Sequence, residues 1–83
     1  MIKFSDLLDK WQETQHAANR ANTELREGIV WYLRQWTDCD FRTMADFRFV
    51  NHDNKYIKVY VTDIYNKIKE YTISCDEVTD IGL

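Results

Sequence analysis

The sequence predicts an α+β domain in which a long N-terminal helix packs on a three-stranded antiparallel meander, the order αβββ. Three observations predict it. Residues 5–37 are helix formers without proline, and their large apolar members recur at i, i+3, i+4, i+7 spacing. Residues 41–75 alternate β-branched or aromatic residues with charged ones, the two-residue period of a half-buried strand. No linker, repeat or low-complexity tract separates these halves, so a chain of 83 residues must build one core from both. The organisation expected is a single domain over 1–83: a helical half at 4–38, a β-meander at 41–76 and a short acidic tail at 77–83.

The helical half opens with Ser5 as the expected N-cap, Asp6 in the first turn complementing the helix dipole. Two apolar clusters follow, Phe4-Leu7-Leu8-Trp11 and Leu25-Ile29-Tyr32-Leu33-Trp36, separated by a stretch whose only apolar members are Ala17, Ala18 and Ala21. At about 100° per residue the two clusters keep phase across the gap, which favours one continuous helix. A break near 19–23 is the competing expectation, because Asn19, Asn22 and Thr23 are weak helix residues and Asn22 can cap a second helix. A continuous helix of about 33 residues would be roughly 50 Å long, beyond what one small globule covers. Phe4, Leu7, Leu8 and Trp11 would then project, and an antiparallel second copy would cover them, with Ala18 at the close approach. The expectation is a homodimer.

In the β half, Phe47, Phe49, Ile57, Val59 and Val61 are expected to face inward, with 49 opposite 57 and 47 opposite 59. The connection is then His52-Asp53-Asn54, with Asn54 tolerating the left-handed conformation. A second turn near Asp63–Lys67 leads to a third strand with Tyr71, Ile73 and Cys75 inward.

Composition excludes several classes. Hydrophobic residues at 45% exclude disorder. No apolar run approaches the ~18 residues of a membrane span, and Met1–Trp11 is charged where a signal peptide is apolar, so a cytoplasmic protein is expected. Cys39 and Cys75 lack CxxC spacing, and no GxSxG, P-loop, GxGxxG or HExxH motif is present. The weak candidates are a thiol–imidazole pair from Cys39 or Cys75 with His52, and a metal held by Asp38-Cys39-Asp40 with His52; His16 is expected solvated. Small inert cysteines and exposed histidines account for these residues more simply. The expectation is no enzyme, no cofactor and no metal.

Two surfaces remain. Trp31 falls near about 180° from the apolar helix face, with Glu27 and Arg34 beside it, and an exposed tryptophan next to an arginine is typical of interface hot spots. Arg48, Tyr56, Lys58 and Tyr60 fall on the outer sheet face, where aromatics among bases can stack nucleobases and meet phosphate. A net charge of −3 weakens that alternative, since phosphate neutralisation dominates nucleic-acid affinity. Size and composition are similar to those of many small accessory proteins of bacteriophages and mobile elements, with no motif that makes it a match. The function expected is a non-enzymatic interaction module, homodimeric, that binds or inhibits another, unidentified protein. A nucleic-acid-binding protein is the alternative.

Overall fold

The computed structural model describes residues 2–14 and 20–79. In chain order the elements are β1 (Ile2–Lys3), α1 (Phe4–Thr14), α2 (Arg20–Trp36), β2 (Met44–His52), β3 (Tyr56–Asp63), β4 (Ile68–Ser74) and β5 (Val78–Thr79). Two helices pack on a three-stranded antiparallel sheet of order β2-β3-β4, and a two-strand ladder joins β1 to β5. The α+β class and the meander are as expected. Among the described residues, no helix is long and apolar enough to cross a membrane.

The continuous helix is corrected. A Cβ added at Gly28 would lie 3.1 Å from Leu7 Cδ1, whereas one straight helix would hold positions 7 and 28 about 32 Å apart. The helices fold back on each other, and the longest extent of the molecule is 35 Å. Phase agreement misled because each amphipathic helix needs one apolar stripe, whatever joins it to the next. Asn22 and Thr23, expected near a break, lie inside α2, and Asn19 lies outside the described residues. His16, Ala17 and Ala18 lie outside the described residues.

Folding back also removes the length mismatch from which a helix-built dimer was expected. Phe4, Leu7 and Leu8 are buried in the chain's own core with Leu25, Ile29 and Leu33. Trp11 is half-buried, its ring edge-on to Phe49 at 5.6 Å. Trp36 departs from expectation in the other direction: it is 69% exposed. Its phase points toward the core, but at the last residue of α2 none of the described elements covers it.

The termini are built into the fold. Ile2 pairs with Thr79 and Lys3 with Val78, so the expected acidic tail is structural as far as Thr79. Phe4 N–H donates to the Glu77 carbonyl (2.9 Å) and Ser5 N–H to that of Cys75 (3.1 Å). Backbone from the C-terminal segment thus satisfies the first amides of α1, and Ser5 is not the cap. Thr79 is buried and its Oγ1 donates to the Gly28 carbonyl at 3.3 Å. Gly28 is where α2, α1 and β5 meet, and the missing Cβ permits that approach.

The first hairpin pairs Phe47 with Val61, Phe49 with Val59 and Asn51 with Ile57, two residues from the expected register. The faces survive because the side-chain period is also two. The shift follows from the turn: Asp53 and Asn54 both adopt positive φ (52° and 56°), so His52 stays in the ladder opposite Tyr56. Ile57, Val59, Val61, Ile73 and Cys75 are buried as expected, with Phe49 and Tyr71 partly buried beside them.

Candidate interaction groove

α2 turns its Leu25, Gly28, Ile29 and Leu33 into the core. The adjoining row at 26, 30 and 34 lies one helical step round and overhangs the edge strand β2. Between helix and strand runs a groove of about 370 Å³, lined by Arg26, Glu27, Val30, Trp31, Arg34 and Phe47. The three residues singled out from the sequence, Glu27, Trp31 and Arg34, therefore share one surface. Trp31 is half-buried in its wall.

Both arginines are held by aromatic rings. The Arg26 guanidinium lies 4.3 Å over the Phe47 ring and that of Arg34 lies 4.8 Å over Phe41. Arg26 Nη2 also donates to the Phe47 carbonyl at 3.4 Å, while Asp46 Oδ1 accepts the Phe47 N–H at 2.8 Å. These two side chains occupy the N–H and carbonyl of Phe47 on the edge strand. Among the described residues, neither guanidinium has a carboxylate within ion-pair distance. Eight residues of helix separate them, about 12 Å along the axis. Arg26, Val30 and Phe47 were missed by the sequence reading. The i, i+4, i+8 spacing of 26, 30 and 34 was visible in principle, but the strand residue that completes the groove is a tertiary neighbour.

The outer sheet face carries the four residues of the alternative reading, yet each is engaged with a neighbour on that face. The Arg48 guanidinium sits 5.2 Å from the Tyr60 ring centroid. Lys58 Nζ lies 3.5 Å from Glu70 Oε2. Tyr56 is stacked on His52 at 4.6 Å. With Asp46 on the same face, two bases meet two acids, and the local field is close to neutral.

The cysteine candidates are separated. His52 is stacked on Tyr56 at the far end of β2 from Asp38-Cys39-Asp40, about 26 Å of strand away. Cys75 is buried on the inner face, and His52 lies on the outer one. Burial, aided by Asp38 and Asp40, pushes the Cys39 thiol up against a lowering hydrogen bond from Tyr71, and burial raises Cys75. Thiols held protonated are poor nucleophiles. Asp38 accepts hydrogen bonds from Lys69 Nζ and Tyr71 Oη, and the Lys69 bond holds its carboxyl below the usual carboxylate range. Among the described residues no three His, Cys, Asp or Glu side chains converge on a metal site.

No protein family, curated protein or solved structure matches the chain.

Proposed function

We propose that the protein is a small non-enzymatic interaction module that holds a segment of another protein in the groove between α2 and β2. One observation carries this reading: an apolar groove walled by Trp31, Val30 and Phe47 is flanked by two ring-held guanidiniums that have no carboxylate partner among the described residues. Tryptophan and arginine are the residue types that dominate binding energy at protein interfaces. Fixing each guanidinium on a ring reduces the conformational entropy lost when it meets a carboxylate.

The chemistry selects the partner. An apolar side chain enters the groove, and acidic residues on either side meet Arg26 and Arg34. Glu27 on the same wall repels a carboxylate placed between them, which favours separated acids over an acidic run. The nucleic-acid reading draws less support, because the bases of the sheet face are already paired or stacked.

Selection from a random peptide library on the immobilised protein tests the proposal. Enriched peptides are expected to carry a large apolar residue flanked by Asp or Glu, and to lose binding to Trp31→Ala and to Arg26→Gln/Arg34→Gln. Enrichment of basic peptides, or binding indifferent to those substitutions, contradicts it.

A further inference from the structure

A second surface carries an inference independent of the groove. Among the described residues, four of the six large apolar side chains left exposed lie at one end: Trp36 (69%), Ile64 (60%), Tyr65 (69%) and Ile68 (62%). The topology brings them together. Trp36 ends α2, and two residues on Asp38 is bonded to Lys69 and Tyr71 of β4. Ile64 N–H donates to the Thr43 carbonyl at 2.8 Å, which ties the β3–β4 turn to the start of β2. A recess of about 360 Å³ opens at the same end, walled in part by Cys39, Met44, Val61, Ile68 and Tyr71.

Large apolar side chains left exposed at one end of a small domain mark an interaction site. Charge identifies the occupant. The rim is balanced within the chain: Asp38 pairs with Lys69, and Asp40 with Arg42. Such an end meets an identical one without net repulsion, whereas the two guanidiniums of the groove, without a carboxylate partner among the described residues, would repel their own copy. Projecting rings and a recess at the same end can also meet across a two-fold axis, as an isologous contact requires.

We propose that two copies of the chain associate symmetrically through this end, with Trp36, Ile64, Tyr65 and Ile68 at the contact. The dimer rests on these residues and not on the helix clusters, which lie inside each protomer. A contact confined to one end of a small domain falls at the low end of interface sizes, where weak associations are found.

Sedimentation equilibrium tests it over protein concentrations from about 1 to 500 µM, where mass action populates a weak dimer. The mass is expected to climb from 10.0 kDa toward about 20 kDa, twice the chain mass. Trp36→Glu, Ile68→Glu and Tyr65→Lys each weaken association at least about tenfold. All three positions are exposed, so the variants keep the wild-type circular dichroism and melting profile, and Trp31→Ala dimerises like wild type. A mass of 10.0 kDa throughout overturns the proposal, including the case in which this end serves a different protein. A dimer indifferent to all three substitutions, or growth beyond two copies, overturns it as well.

Discussion

Trp31 and Trp36 stand five residues apart on one helix, and helical phase assigns them opposite environments. Trp31 should face water and Trp36 the core. In the molecule Trp31 is half-buried in the wall of a groove, and Trp36 is 69% exposed. Phase gives the direction of a side chain, and burial requires that another element lie in that direction. β2 and the ring-held arginines lie beside Trp31. Beyond Trp36 the chain leaves the helix, with Thr37 N–H closing the last turn on the Leu33 carbonyl at 3.2 Å. Two tryptophans on one element thereby come to lie in two different environments.

The largest expected effect would break the fold that sets up this contrast. Leu8→Glu places a charge in a fully buried site, which costs upwards of about 4 kcal/mol and unfolds a domain of this size. The chain is expected to lose its cooperative thermal transition, as it would with Val59→Asp. A folded 10.0 kDa monomer carrying the new carboxylate in water would show that α1 is not packed as described.

Next in size is the helix crossing. Gly28→Val adds atoms where a Cβ alone already meets Leu7 and Thr79 at 3.1 and 3.2 Å. Overpacking there is expected to cost about 2 kcal/mol in a urea titration, more than the helix propensity gained over glycine. A stabilised variant would mean that β5 yields and the crossing is loose.

A comparison of the tryptophans themselves gives a smaller effect. Trp31→Ala removes a half-buried ring and is expected to cost about 1–2 kcal/mol. Trp36→Ala should change stability by less than about 0.5 kcal/mol, as surface substitutions do. Equal losses would erase the distinction between wall and end.

Much of the fold was legible because its signals are local. The two-residue alternation from Phe47 to Ile73 separated inner from outer side chains correctly despite a hairpin register two residues out. The register itself depends on Asp53 and Asn54 both turning left-handed, a choice that one tolerant residue does not reveal. The helical interruption was not legible from the phase of the flanking clusters. Nor was the β1–β5 ladder, whose two-residue strands carry too little pattern to register as strands. At the groove, Glu27, Trp31 and Arg34 were found because they share a helix face. Phe47 was assigned to the core, and only its position on an edge strand makes it a groove residue as well.

The smallest effect concerns charge at the Trp36 end. The hydrogen bond from Lys69 holds the exposed Asp38 carboxyl below its ordinary range. Because the folded value is depressed, any stability it confers is present above the unfolded-state pKa and is lost as pH falls through the folded one. Lys69→Met should move the Asp38 carboxyl titration, followed by carbon-detected NMR, back toward the usual carboxylate value. An unmoved midpoint would show that Lys69 does not pair with Asp38 in solution.

The central claim, that these two tryptophans mark two separate docking surfaces, is tested most directly by the indole N–H signals in nitrogen-15 correlation spectra. Raising the protein concentration is expected to shift the Trp36 signal and leave that of Trp31 in place. Adding a peptide with an apolar residue between separated acids should do the reverse. Movement of both signals together in either titration, or of Trp31 alone with concentration, would contradict the account.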